Sequence, residues 1–240
     1  MQPLDDIQVD IEVLADTALK GLSSSRQSRY LIGITGPPGA GKSTLMEALV
    51  RTCAERLGAG QVLGLPMDGF HMTNAKLTEL GLHSRKGAPE TFDSDVFVSA
   101  LRQLANHDQE MGWPTYSRKL NDPVQDAIEI TSDTRLIFIE GNYLLLPVSP
   151  WDQVRGFLNT VWYVHADKER LERRLIRRQV ESGRARDEAV RHVRESDMSN
   201  VEQVSQTEKL ADRLILIGAE DPLLSGLIDP ATGQPIRLDR

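Results

Sequence analysis

Residues 31–44 read Leu31-Ile-Gly-Ile-Thr-Gly36-Pro-Pro-Gly39-Ala-Gly41-Lys42-Ser43-Thr44, a short apolar run, then the pattern G-x-x-x-x-G-K-S, then a segment suited to a helix. A strand, a glycine-rich turn and a helix in that order make a phosphate cradle. Glycines let backbone N–H groups turn toward polyphosphate oxygens, and the helix start contributes the positive end of its dipole. Lys42 supplies a point charge and the Ser43 hydroxyl can ligate Mg²⁺. Gly36, Pro37, Pro38, Gly39, Ala40, Gly41, Lys42, Ser43 and Thr44 are therefore the candidate nucleotide-binding residues, and the expected ligand is a nucleoside triphosphate.

Working outward, four more apolar runs resemble the first: Gln61-Val-Leu-Gly-Leu-Pro66, Arg135-Leu-Ile-Phe-Ile-Glu140, Thr160-Val-Trp-Tyr-Val-His165 and Asp212-Arg-Leu-Ile-Leu-Ile217. They are short, β-prone and largely unbroken, as are strands of a parallel sheet covered on both faces. Helical patterns lie between them: Leu45, Leu49, Cys53 and Leu57 on one face ending at Gly58, then 94–106, about 150–158, 168–182 and 187–200. The alternation predicts an α/β fold of the P-loop NTPase kind. Three layers are expected, with a mostly parallel sheet between helices and ligands at the carboxyl ends of the strands. Upstream, Leu4, Ile7, Ile11, Leu14 and Ala18 mark an amphipathic helix ending near Gly21. With its serine-rich linker this forms a segment over 1–28, before a domain over 29–217. A tail over 218–240, turning at Asp229-Pro-Ala-Thr-Gly233, is expected to form a peripheral hairpin.

The chain has 240 residues, enough for one sizeable core. Its net charge of −7 and pI near 5.3 exclude a general nucleic-acid footprint. Cys53 is the single cysteine, so no intrachain disulfide forms, and it reads as a small buried apolar residue. The first residues lack a basic start and an apolar leader, and no apolar run approaches the ~20 residues of a membrane span. A soluble cytoplasmic protein without membrane contact is expected.

Two carboxylates stand where such a fold places chemistry. Asp68 ends the second strand in Leu63-Gly-Leu-Pro-Met-Asp68-Gly-Phe-His71, and Glu140 ends the third in Ile137-Phe-Ile-Glu140-Gly-Asn-Tyr143. Phosphoryl transfer needs one anionic group to accept the proton of the attacking hydroxyl and another to hold Mg²⁺ directly or through water. Asp68 fits the first role and Glu140, with Ser43, the second. Each could instead merely cap a turn or helix.

The loop Gly36–Thr44, Met67-Asp68-Gly69-Phe70-His71, Lys86-Gly-Ala-Pro-Glu-Thr-Phe-Asp93, Pro114-Thr-Tyr116-Ser-Arg118, Glu140-Gly-Asn-Tyr-Leu-Leu and an arginine-rich helix come in one order. Together they resemble the phosphoribulokinase, uridine kinase and type I pantothenate kinase superfamily. The likeness runs over about 31–217, and is greatest to a bacterial branch described as nucleoside or nucleotide kinase-like, or fructose-transport-system kinase-like. The resemblance implies an ATP-dependent kinase acting on a hydroxyl of a small molecule, with Asp68 as base. It also implies that Tyr116 and Arg118 face the acceptor. His71, Arg85 and Lys86 lie in the adjoining loop within reach of acceptor oxygens, or are solvated loop side chains. Asp93 reads as the N-cap of the helix from Ser94. A homodimer is admitted by analogy.

The arginine-rich helix is Asp167-Lys-Glu-Arg170-Leu-Glu-Arg173-Arg174-Leu-Ile-Arg177-Arg178. Helical spacing concentrates its arginines into a positive stripe. Guanidinium groups closing over a moving phosphoryl group stabilise its charge, and a lid over about 168–194 matches the resemblance, which favours Arg174 and Arg178. Some of the stripe is a solvated face paired with Glu169, Glu172 and Glu181. Nucleic acid is not the expected partner, because the stripe is short and carries no interleaved aromatics.

The leading expectation is a Mg²⁺-ATP-dependent kinase acting on a nucleoside, sugar or pantothenate-like hydroxyl. The alternative is a nucleotide-dependent switch or slow ATPase. A GTPase would need a base-reading Asn-Lys-x-Asp segment, and the sequence has none. His71, Arg85, Lys86 and Arg118 suit an acceptor with oxygens or a negative charge. The chain departs from type I pantothenate kinases at Pro37-Pro38 and over Trp113–Lys119, which argues against pantothenate as acceptor.

Overall fold

A computed structural model describes residues 5–106, 109–216 and 227–228, with side chains over 11–106 and 109–216. A central sheet runs in the order β2 (Val62–Pro66), β5 (Leu136–Glu140), β1 (Tyr30–Thr35), β6 (Thr160–His165), β7 (Arg213–Leu216), β8 (Leu227–Ile228). The first five are mutually parallel, and only β8 pairs antiparallel, on the β7 edge. β8 belongs to the tail. The hairpin expected within 218–240 otherwise lies outside the described residues.

Alternate residues of each central strand face opposite layers, and both layers are buried. Ile32, Ile34, Leu136, Phe138, Trp162 and Val164 enter one core with α1 (Asp5–Ser24) and α2 (Lys42–Leu57). Leu31, Ile137, Ile139, Val161 and Tyr163 enter the other with α4 (Ser94–Asn106). This is why the strands are continuously hydrophobic rather than alternating. The N-terminal helix packs in the first core through Ile11, Leu14, Ala15, Ala18 and Leu22. Arg56 of α2 ties it down by ion pairs to Glu12 and Asp16. Leu4 and Ile7 lie outside the residues whose side chains are described. Cys53 is fully buried, and burial pushes its thiol up to about 12, as expected of an inert apolar residue.

Between α4 and β5 the structure holds an antiparallel pair that the sequence pattern does not announce, β3 (Met111–Ser117) and β4 (Asp122–Ile130). Proline inside each segment, Pro114 and Pro123, argues against a strand. The register shifts between Trp113 and Thr115, so the bulge absorbs Pro114. The segment near 150–158 is a 3₁₀ turn, Trp151–Phe157. The helical pattern over 187–200 is interrupted: α6 (Arg186–His192) passes through a π turn, Val193–Asp197, into α7 (Met198–Ser205), following α5 (Lys168–Glu181). Among the described residues no helix is long and apolar enough to cross a membrane.

Candidate active site

The sheet register assembles the site. Glu140 at the end of β5 pairs with Ile34 of β1 on one side and Pro66 of β2 on the other. The phosphate loop after β1, the turn after β2 and Glu140 therefore meet at one edge of the sheet. In the loop, Gly36, Gly39 and Gly41 have φ of +143°, +83° and +103°, a region that side-chain-bearing residues avoid. A Cβ on Gly36 would fall 2.4 Å from the Val164 carbonyl oxygen. Gly41 hands the chain into α2 from a left-handed N-cap, so Lys42 and Ser43 open the helix.

Lys42 is 5 % exposed. Its Nζ donates to the Pro37 carbonyl at 3.1 Å and lies 3.7 Å from Glu140 Oε1. The Ser43 hydroxyl donates to Glu140 Oε2 at 3.3 Å, and Ser43 and Thr44 are exposed at the loop mouth. Burial pushes the Lys42 ammonium below its ordinary pKa, with Glu140 and Asp68 opposing. Burial likewise pushes Glu140 up to about 6 against the pull of Lys42. The pair is thus a compact, desolvated dipole beside a backbone cradle.

Asp68 lies in the 3₁₀ turn Met67–Phe70 that follows β2. It is half-buried, and its charge is felt at Lys42, Glu140, Tyr116 and Tyr143, so its carboxylate borders the same cleft. Its carbonyl accepts from the His71 backbone N–H at 3.2 Å and contacts His71 Nδ1 at 2.8 Å. A carbonyl only accepts, so Nδ1 carries the proton and Nε2 is left as an acceptor while the ring is neutral. Burial lowers the His71 pKa and favours that neutral state.

A second set of side chains closes around His71. Its ring lies 3.9 Å from Phe92 and 4.9 Å from Tyr116, centroid to centroid. Trp113 Nε1 donates to the Pro66 carbonyl at 2.9 Å, which fastens the β3–β4 hairpin to the end of β2 and brings Tyr116 beside the site. Tyr116 donates to Asn121 Oδ1 at 2.7 Å. Lys86 Nζ donates to Asn74 Oδ1 at 2.6 Å and to the Asn121 carbonyl at 2.7 Å, and sits 5.2 Å from the centre of the Tyr116 ring. Asp122 Oδ1 accepts the Asn74 backbone N–H at 2.8 Å. Asn74, Asn121 and Asp122 were not singled out from sequence. Their signal in the sequence is the turn-forming run Asn121-Asp122-Pro123, and Asn121 takes a positive φ (54°) in the hairpin turn.

Two expected acceptor residues stand outside this cluster. Arg85 pairs at 2.5 Å with Glu90 on the exposed surface. Arg118 lies exposed in the turn after β3, beyond the bulge that aims Tyr116 inward. Asp93 holds the N-cap position of α4, its carbonyl accepting from Phe97 N–H at 3.0 Å, while its carboxylate pairs with Lys76.

On α5, Arg174 Nη1 donates to the carbonyls of Gly39 at 3.1 Å and Ala40 at 3.4 Å in the phosphate loop. Arg178, one turn further along α5, acts electrostatically on Lys42, Glu140, His71 and Tyr116. Arg177 is a solvated residue paired with Glu181 at 3.8 Å. Asp197, at the end of the π turn, packs beside α5. Burial raises its pKa, it accepts from Gln179 Nε2 at 3.3 Å, and it feels His192, Arg178 and Arg184. Its position depends on the extra residue of the π turn. Among the described residues no group of three His, Cys, Asp or Glu could hold a metal alone. The oxygens of Ser43 and Glu140 suit Mg²⁺, which takes few protein ligands and completes its shell with water and phosphate.

The pattern of the phosphoribulokinase/uridine kinase family matches residues 31–219. The Escherichia coli protein YggC, itself uncharacterised, is 35% identical over 189 residues, 79% of this chain and 78% of YggC. A pantothenate kinase from Enterococcus faecalis is 30% identical over 150 residues, 62% of this chain and 49% of that enzyme. A solved structure from Silicibacter sp. TM1040, provisionally described as a fructose transport system kinase, is 31% identical. Its TM-score is 0.76, covering 82% of this chain and 94% of that one.

Proposed function

The chain belongs to the phosphoribulokinase and uridine kinase family, and on that premise we propose that it is a Mg²⁺-ATP-dependent kinase. It transfers the γ-phosphoryl group to a hydroxyl of a small metabolite. The observation that carries this reading is the placement of Asp68: beside Lys42 and Glu140 on one flank, and beside the His71–Tyr116 ring pair on the other. Side chains suited to a second reactant thus adjoin the phosphate cradle.

In this reading the loop amides and Lys42 hold the β- and γ-phosphates. The acceptor lies across His71 and Tyr116 with its hydroxyl at Asp68. That carboxylate takes the hydroxyl proton as the new O–P bond forms and the bond to the leaving ADP oxygen breaks. Arg174 keeps the loop carbonyls turned outward so that its amides face the phosphates, and Arg178 offsets charge on the moving group. Ser43 and Glu140 would hold Mg²⁺, which supplies charge neutralisation at the phosphate oxygens.

The test is Asp68→Asn. Turnover in a coupled ADP-release assay with a mixture of hydroxyl-bearing metabolites is expected to fall at least about a hundredfold, with ATP binding retained. Undiminished turnover removes Asp68 from the mechanism. ADP release indifferent to every acceptor points instead to a slow ATPase or switch.

A further inference from the structure

The sequence offers several basic groups near the acceptor side, and the structure treats one of them differently. Lys76 pairs with Asp93 and Arg85 with Glu90. The Lys86 ammonium is held by two neutral oxygens, Asn74 Oδ1 and the Asn121 carbonyl, at 2.6 and 2.7 Å. Two of its three N–H donors are thereby fixed in direction, its charge stays unneutralised by an ion pair, and it lies against the Tyr116 ring. The carboxylate that acts on its charge is Asp122, whose Oδ1 is engaged by the Asn74 N–H. Neutral carbonyls that aim an ammonium without cancelling it make a preorganised anion receptor.

Its position relative to the base sets the geometry of a ligand. Lys86 sits 5.2 Å from the Tyr116 ring centre, Tyr116 lies 4.9 Å from the His71 ring, and His71 Nδ1 is 2.8 Å from the Asp68 carbonyl. A molecule lying along those two rings would present one end to Asp68 and the other to Lys86. Lys86 also acts electrostatically on His71, as does Arg178 from the lid, so cations border the platform on two sides.

We propose that Lys86 anchors an anionic group of the acceptor, which is therefore a hydroxyl-bearing carboxylate or phosphate ester rather than a neutral nucleoside or sugar. This rests on the kinase reading above. Lys86 is a specificity-determining residue here, binding the end of the acceptor remote from the reacting hydroxyl. The rival role is a latch tying Asn74 to the β3–β4 turn.

The experiment uses probes matched in all but charge: gluconate against glucose, and ribose 5-phosphate against ribose. Each is measured by thermal shift of the full chain with a non-hydrolysable ATP analogue, and by ADP release with ATP. The expected result is binding and turnover preferring at least one anionic member by roughly tenfold or more. Which pair responds tells carboxylate from phosphate. Lys86→Gln is expected to raise the KM of that acceptor about ten- to a hundredfold while leaving its kcat within about threefold, and Lys86→Arg to restore most of the loss. Thermal shift reads the charge preference even where no probe is turned over, so failure of the kinase reading does not mask the outcome. No preference for an anionic member in either measurement overturns the proposal. So does a Lys86→Gln effect that falls equally on kcat, on the KM of ATP and on folding, which is the behaviour of a latch.

Discussion

The Ser43 hydroxyl donates to Glu140 Oε2 across 3.3 Å, joining the first turn of α2 to the last residue of β5. The two oxygens that suit Mg²⁺ are thus in contact, and the buried Lys42 ammonium lies on the other carboxylate oxygen. Glu140→Gln keeps the shape and removes the charge. Turnover at fixed Mg²⁺ is expected to fall about ten- to a hundredfold, with recovery as Mg²⁺ is raised. A Mg²⁺ titration of ADP release measures this, and an unchanged Mg²⁺ dependence removes Glu140 from metal binding.

Arg174 and Arg178 are separated by their contacts. Arg174 holds the Gly39 and Ala40 carbonyls, so Arg174→Ala should loosen the loop and raise the KM for ATP about tenfold. Arg178 acts on Lys42, Glu140 and the acceptor rings, so Arg178→Ala should lower kcat about a hundredfold with ATP affinity little changed. Steady-state kinetics of both variants decides it. Identical profiles would mean the two arginines act alike.

Gly69 follows the proposed base, where the backbone of the hairpin passes over it. A Cβ at this position would lie 2.1 Å from the Pro114 carbonyl oxygen and 2.8 Å from Thr115 N. Gly69→Ala must push β3 away or shift the Asp68 turn. A destabilisation of about 1–3 kcal/mol is expected, a fall in Tm of about 3–10 °C. The KM for acceptor should rise more than that for ATP, because Tyr116 rides on β3. A thermal melt at wild-type Tm would show that the hairpin yields freely.

His165, at the end of β6, contacts Glu208 through Nδ1 at 2.8 Å. The hydrogen bond to Glu208 is the main reason its pKa is raised; burial opposes, and the charges of Glu208 and Asp167 assist. A raised folded-state pKa favours the protonated ring. The stabilisation is therefore complete below the ordinary value of about 6.5 and is lost as pH climbs through the folded-state pKa. Glu208→Gln should lower Tm more at about pH 6 than at about pH 8. Melting curves at both pH values test this, and a loss that grows with pH would reverse the assignment. Part of the pair is solvated, so the effect is modest.

Much of the cradle was legible. Gly36, Gly41, Lys42 and Ser43 are fixed by local requirements, namely positive φ, a helix start and a charge, and such requirements leave their mark in adjacent letters. Asp68 and Glu140 were readable because a strand end followed by a turn delivers its side chain to the edge of the sheet. The β3–β4 hairpin was not legible, since Pro114 and Pro123 contradict a strand pattern and only the bulge at Pro114 reconciles them. Arg85 and Lys86 are neighbours of like charge. Their opposite fates, one on Glu90 at the surface and one on Asn74 and Asn121, depend on partners brought in from elsewhere in the chain.

The sequence alone therefore determined the phosphate cradle, the parallel sheet and the two carboxylates, Glu140 at a strand end and Asp68 in the 3₁₀ turn just past one rather than at the strand end itself, because each rests on interactions within a few residues or on the two-sided burial of a strand. Tertiary structure alone decided which cation lies against the Tyr116 ring, that Arg174 holds the Gly39 and Ala40 carbonyls, and that Asp197 accepts from Gln179. Each of those outcomes joins groups distant in the chain, or depends on a one-residue irregularity such as a bulge or a π turn. Side-chain direction there is set by packing rather than by local pattern.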